Sequence, residues 1–249
     1  MNPSLLSIET LSERTVAKTI DHSLLRPELD DSFVEDGCRL AAAYDVASVC
    51  VRPVDVRRAA ALLAGTHVAV GTTVGFPHGN HLTATKVAEA RAAIDEGASE
   101  LDMVLQIGAL KSGRDFDVQA DIAAVVEVAH NAGAIVKVIF ENAYLTNDEK
   151  VRACHLSEAA GTDFVKTSTG FAASGATHDD LRLMRANVSP RVQVKAAGGV
   201  RTLDDLLAVM ALGVTRIGAT QTKAIIDEFR VRKAGDGRVA AAASDVESF

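Results

Sequence analysis

The strongest constraint on this chain is an alternation. Short runs rich in Val, Ile and Leu alternate with Ala-rich segments of helical periodicity between residues 17 and 231. The connections are only a few residues long. Parallel strands need a crossover between them, and a helix is the usual one, so this alternation specifies a parallel α/β protein. The expected strands cover residues 17–24, 47–52, 67–76, 100–107, 135–141, 164–168, 193–197 and 215–219. The expected helices cover 32–44, 54–63, 83–96, 116–131, 148–160, 177–186, 202–212 and 221–231. Pro53 suits the start of the second helix, Thr177 caps the sixth, and Gly97, Gly133 and Gly161 stop three others. Eight units in 249 residues point to a closed (βα)8 barrel forming one domain over 1–249. A short N-terminal helix is expected before it, capped by Ser7 or Thr10, and a mobile tail of Ala, Gly and charged residues over 234–249. The G-x-G-x-x-G and P-loop motifs are absent, which removes the common open-sheet nucleotide folds.

Aromatic residues make up only 4% of the chain and Trp is absent, so the core must be aliphatic. The net charge of -7 and the absence of a basic face argue against nucleic acid as a partner. Cys38, Cys50 and Cys154 share no metal-ligand spacing, and no metal is expected. With no signal-peptide pattern and no run of about 18 apolar residues, the expectation is a cytoplasmic protein without a membrane partner. Cys38 and Cys154 fall within helices and read as packing residues.

In a barrel, one face of each strand meets the helices and must be apolar, while the other faces the axis. Leu101, Met103 and Leu105 form the helix-facing set of the fourth strand, which turns Asp102, Val104 and Gln106 toward the axis. On the fifth strand Val136, Val138 and Phe140 face the helices, and Lys137, Ile139 and Glu141 the axis. The same rule sends Lys166 and Ser168 inward on the sixth strand and Lys195 inward on the seventh. It sends Cys50 and Arg52 inward on the second, and Asp21 and Ser23 on the first. One geometric rule therefore gathers Asp21, Cys50, Asp102, Lys137, Lys166 and Lys195 around one axis. A structural ion-pair cluster would give this pattern, with Lys137 pairing Asp102 or Glu141. So would chemistry: a buried lysine beside a second cation is an activated amine able to form a Schiff base, and an inward carboxylate can move protons. Lysine nitrogens about 6 Å apart at an effective dielectric near 20 repel by about 2.8 kcal/mol. That holds Lys166 below an ordinary lysine, provided Asp102 lies nearer Lys195 or a water than Lys166.

A second constellation, Gly198-Gly199-Val200-Arg201, follows the seventh strand and opens a helix. Small residues let backbone amides approach an anion, and barrels often bind phosphate after strands seven and eight. Gly218-Ala219 after the eighth strand forms the matching half, and the Ser/Thr/Gly turn ending in Gly170 follows Lys166.

With these residues in place, the chain resembles the deoxyribose-phosphate aldolase family of class I aldolases over roughly residues 16–227. The motifs that carry the likeness are IDHSLLRP (20–27), VGFPHG (74–79), KVAEA (86–90), ELDMV (100–104), DFVKTSTGF (163–171) and KAAGGVR (195–201). The resemblance implies a (βα)8 barrel that reversibly joins acetaldehyde to glyceraldehyde 3-phosphate, giving 2-deoxyribose 5-phosphate, without a cofactor. It implies Lys166 as the Schiff-base lysine, Lys195 as the neighbour that lowers its pKa, and Asp102 in proton relay. Partners would be small phosphorylated sugars and aldehydes, with homo-oligomerisation left open. The chain departs from the family pattern at Ser23, where Thr is usual, at Gln106, where Asn is frequent, and at Thr220-Gln221, where Ser-Ser is usual.

Overall fold

The computed structural model describes residues 8–235. Eight strands form one closed barrel in sequence order: β1 (Ile20–Leu24), β2 (Ser48–Val51), β3 (Ala69–Val74), β4 (Glu100–Val104), β5 (Ile135–Ile139), β6 (Phe164–Lys166), β7 (Gln193–Ala197) and β8 (Arg216–Ala219). All neighbours are parallel, and β1 closes on β8 with Ile20 opposite Ile217. The helices are α1 (Glu13–Ala17), α2 (Asp31–Ala43), α3 (Val56–Leu63), α4 (Thr83–Asp95), α5 (Ile107–Lys111), α6 (Asp115–Asn131), α7 (Asn147–Ala159), α8 (His178–Ala186), α9 (Leu203–Ala211) and α10 (Thr222–Lys233).

Parity explains the core. Leu101, Met103, Val136, Val138, Val165, Val194 and Ile217 are all fully buried between sheet and helices, with Cys38 and Cys154 among the buried helix residues. Their axial neighbours include Asp102, Lys137, Lys166, Lys195 and Arg216. The two layers thus separate an aliphatic shell from an ionic axis.

The ends of the elements differ from expectation. Residues 17–19 are not strand, because Ser12 caps α1 by accepting from the Thr15 amide at 3.0 Å, and that helix runs to Ala17. The cap is Ser12, not Ser7 or Thr10; Ser7, like the segment from residue 236 of the expected tail, lies outside the described residues. Strands β3, β4, β5 and β6 stop two to three residues before their expected C-terminal ends, and the chain there turns into the loops that form the mouth. Residues 105–107 leave the sheet, and Gln106 precedes the unexpected short helix α5.

The end of β4 is held from outside the barrel. Lys86 on α4 is fully buried and donates to the Val104 carbonyl at 2.8 Å and to Asp121 of α6 at 2.6 Å. Thr83 donates to the same carboxylate at 2.8 Å. Removing one partner would leave a buried unpaired charge beneath the strand that carries Asp102, a change that typically costs about 3–5 kcal/mol.

On β1, His22 points to the helix layer, only 6% exposed, with Nδ1 2.9 Å from the Thr222 hydroxyl at the start of α10. Burial pushes its imidazole down to about 4. Above pH ~6.5 the ring is neutral folded and unfolded, and contributes no pH dependence. As pH falls below that, the unfolded chain gains a proton the folded one refuses, so stability declines until about pH 4. The full loss is about 3 kcal/mol. Denaturant titrations from pH 7 to 4 should show this decline in the parent and a shallower one in His22→Gln.

Candidate active site

The axis of the barrel carries a continuous ionic network. Register sets Asp102 of β4 beside Lys137 of β5, and Lys166 of β6 beside Lys195 of β7. The Asp102 carboxylate sits at the centre. Its Oδ1 accepts from Lys137 Nζ at 3.0 Å, and its Oδ2 accepts from both Lys166 and Lys195, each at 2.7 Å. Lys137 also reaches Glu100 at 2.6 Å and Asp21 Oδ2 at 3.1 Å. Lys195 lies 2.5 Å from the same Asp21 oxygen; neither approach to Oδ2 has hydrogen-bond geometry, so these are close ion pairs. At the N-terminal end of the axis, Arg216 binds Asp21 Oδ1 and donates to Glu100 at 2.8 Å, and lies 5.7 Å over the Phe164 ring.

Counting charges identifies the odd group. Lys137, Lys166, Lys195 and Arg216 face three carboxylates, Asp21, Glu100 and Asp102. The cluster is neutral only if one cation gives up its proton. Lys137 touches three carboxylates and Lys195 two, whereas Lys166 touches only Asp102. Lys166 is the least compensated and is the group whose neutral form costs least.

The directions of the pKa shifts agree. Burial pulls Lys166 below the ordinary lysine range; Asp102 opposes this, and Lys195 adds to it. Burial acts the same way on the other two, but is outweighed. Asp102 and Asp21 hold Lys195 above its usual value, and with Glu100 they hold Lys137 well above it. Burial would raise Asp102, but its three lysines hold it well below the usual carboxylate range, so it stays an anion. Cys50 lies within this field, and burial first, then Asp102, pushes its thiol up to about 11.

The expectation that Asp102 would lie nearer Lys195 than Lys166 is not met, since the two contacts are equal at 2.7 Å. Two cations compete for one oxygen, so neither is fully neutralised by it. The expected repulsion from Lys195 operates, but burial ranks ahead of it. Glu141 does not pair with Lys137. Arg52 leaves the axis: it pairs with Asp55 at 2.7 Å and donates to the Pro27 carbonyl at 3.0 Å, holding the loop after β1. Gln106 lines a separate cavity of about 370 Å³ with His81 and Arg114. Glu100 and Arg216 went unassigned in the sequence, although Glu100 shares strand parity with Asp102, which was assigned to the axis.

Above the network, a cavity of about 400 Å³ opens at the C-terminal ends of the strands. Of the three axial lysines, only Lys166 lines it, together with Ser23. The expected anion-binding residues Gly170, Gly198, Gly199, Val200, Arg201, Gly218 and Ala219 all line it too, as do Arg26 and Thr220. Gly198 has φ +76, and an added Cβ would stand 2.8 Å from the Gly175 Cα, so only glycine fits. The Arg201 amide is already taken: it donates to Asp205 at 3.0 Å, so Arg201 would have to meet an anion through its side chain. Among the described residues, no group of three or more His, Cys, Asp or Glu is placed to hold a metal ion, and no helix is long and apolar enough to cross a membrane.

Known proteins with this pattern are numerous. The family model described as DeoC/LacD family aldolase matches residues 15–225. A deoxyribose-phosphate aldolase of Rhodopirellula baltica is 52% identical over 86% of this chain and 89% of its own length. One from Clostridium perfringens is 48% identical over 87% of this chain and 96% of its own. Among solved structures, a deoxyribose phosphate aldolase from Aeropyrum pernix, described as a unique tetramer, is 28% identical with a TM-score of 0.82, covering 88% of this chain and 92% of that one. On the match over residues 15–225 and the identity over most of both lengths, the chain belongs to the DeoC/LacD family of aldolases.

Proposed function

We propose that this chain reversibly cleaves 2-deoxy-D-ribose 5-phosphate to acetaldehyde and D-glyceraldehyde 3-phosphate, with Lys166 as the Schiff-base nucleophile. The reaction is the one its relatives are named for. The observation that carries the residue assignment is that Lys166 alone among the axial lysines lines the cavity and is the least compensated of them.

In this reading the neutral Lys166 amine attacks the C1 aldehyde of the open-chain sugar, and loss of water gives an iminium. The C3 hydroxyl then loses its proton, the C2–C3 bond breaks, and its electron pair is taken up as an enamine. Glyceraldehyde 3-phosphate leaves. Protonation at C2 and attack by water release acetaldehyde and restore the amine. Asp102 stays ionised and bridges Lys166 to Lys195, which holds a proton 2.7 Å from the shared oxygen. Lys195 is thus the nearest acid, and Asp102 the group through which the two lysines exchange charge. Lys137, Asp21 and the Glu100–Arg216 pair hold that carboxylate in place. The phosphate lies against the Gly198–Val200 backbone, the Arg201 side chain and the Gly218–Ala219 edge, with Gly170 lining the same cavity. Ser23 stands in the same cavity as Lys166 and can meet a sugar hydroxyl. A cytoplasmic location fits three free, buried cysteines, and homo-oligomer formation has a precedent in the tetrameric Aeropyrum pernix relative.

Two experiments test this. Lys195→Leu removes one cation, so that three cations balance three carboxylates with Lys166 protonated. Most activity at pH 7 should be lost, and the remainder should move to higher pH. Lys166→Leu should abolish activity at every pH, together with borohydride trapping of substrate. Trapping that survives Lys166→Leu but not Lys195→Leu would reverse the two roles, and no trapping in the parent would favour a non-covalent isomerase on the same barrel. In the second experiment, Gly199→Leu should raise KM for 2-deoxyribose 5-phosphate by about tenfold or more while leaving 2-deoxyribose nearly unchanged. Equal losses on both substrates would count against the phosphate site.

A further inference from the structure

One buried acid is left unused by this chemistry. Glu141 follows β5, is 2% exposed, and takes a left-handed backbone with φ +56. No cation pairs with it among the described residues. A carboxylate buried in this way needs other compensation, and residues with side chains of this size rarely adopt that backbone. The compensation comes from one residue. The Thr169 amide lies 3.3 Å from both carboxylate oxygens, and the Thr169 hydroxyl donates to Oε2. That hydroxyl oxygen in turn accepts from the Phe171 amide at 3.0 Å.

The turn wound on this carboxylate begins three residues after Lys166, and Thr169, Gly170 and Phe171 all line the cavity. Phe171 meets the ring of Phe76, from the loop after β3, edge to face at 5.3 Å. Glu141 is itself fixed to the strand that carries the lysine. The Phe140 amide donates to the Lys166 carbonyl and the Asn142 amide to the Thr167 carbonyl, both at 3.0 Å. The carboxylate therefore joins the frame of Lys166 to a turn that lines the same cavity as the Gly198 loop. Gly170 has φ +88 and no atom within 4 Å of an added Cβ, so the turn is held by its hydrogen bonds to Glu141 and by the Phe171–Phe76 contact rather than by packing at Gly170.

We propose that Glu141 is a positioning residue. By fixing the Thr169–Gly170–Phe171 turn, it sets the distance between the Lys166 nitrogen and the wall that meets the phosphate end of the substrate. The role rests on the cleavage proposed above, and it acts on the phosphorylated substrate rather than on formation of the Schiff base.

The experiment compares Glu141→Gln, Thr169→Val, Thr169→Ser and the Glu141→Gln/Thr169→Val double variant. Each is measured for kcat and KM with 2-deoxyribose 5-phosphate and with 2-deoxyribose, for borohydride trapping of acetaldehyde at Lys166, and for thermal unfolding. Glu141→Gln and Thr169→Val should each raise KM for the phosphorylated substrate by about tenfold, with a change below about threefold for 2-deoxyribose. Trapping should persist in both, Thr169→Ser should stay close to the parent, and the double variant should be no worse than the poorer single one. Equal losses on both substrates, a KM that does not move, or full additivity in the double variant would overturn the role. If Glu141→Gln does not fold, Thr169→Val against Thr169→Ser decides it alone: equal behaviour of those two also overturns it. Trapping in the parent checks the underlying Schiff-base reading separately, since a parent that traps acetaldehyde at Lys166 can still lack the Glu141 effect.

Discussion

One carboxylate oxygen shared by two lysines is the constraint on which the rest of the site depends. Asp102 Oδ2 stands 2.7 Å from both Lys166 and Lys195, inside a barrel axis closed to water at that depth. Four cations cannot all stay charged there beside three carboxylates without a net charge in a buried place, which is expensive. The network resolves this by unequal sharing. Arg216 cannot deprotonate, Lys137 and Lys195 each have more than one carboxylate, and Lys166 has half of one oxygen. The same unequal sharing makes the amine at the cavity the reactive one in the proposed mechanism.

The scaffold supports this economically. Strands β4 to β7 each contribute an axial charge to the cluster; register sets Asp102 opposite Lys137 and Lys166 opposite Lys195, and the three lysine side chains converge on Asp102. The aliphatic side of those strands carries the folding. The axial side is then free to hold polar groups, whose mutual pairing replaces the hydration they lose. Stability and chemistry thus lie on opposite faces of the same strands, which is why a two-residue period separates them so cleanly.

That period is also why much of the site was legible in the sequence. Asp102, Lys137 and Lys195 each sit between apolar neighbours in a strand interior, where alternation dictates the face, and Asp21 and Lys166 each follow an apolar residue that sets the phase. It fails where strands end. Arg52 and Gln106 were assigned to the axis by carrying the alternation past the last ladder residue, into backbone that no longer alternates. Glu100 and Arg216 stand at the first residue of their strands, away from the C-terminal ends where a barrel's chemistry is sought. Partners were less legible than faces. Asp102 was expected nearer Lys195 or a water than Lys166 and holds both lysines equally, because the side chains of β6 and β7 converge on one of its oxygens. The bond between His22 and Thr222 spans 200 residues and leaves no local pattern. The glycine loops were legible because a barrel confines anion binding to a known end, and Gly198 packs against Gly175, so glycine is required there.

The most direct measurement is a pH titration of the individual lysines by NMR, using lysine labelled at Cε in the intact protein and assigning the axial signals by Lys-to-Arg variants. Lys166 should lose its proton at lower pH than the surface lysines, while Lys137 and Lys195 remain protonated beyond the range of the surface lysines. A Lys166 signal that titrates with the surface lysines, or a Lys195 signal that titrates first, would contradict the unequal sharing of Asp102.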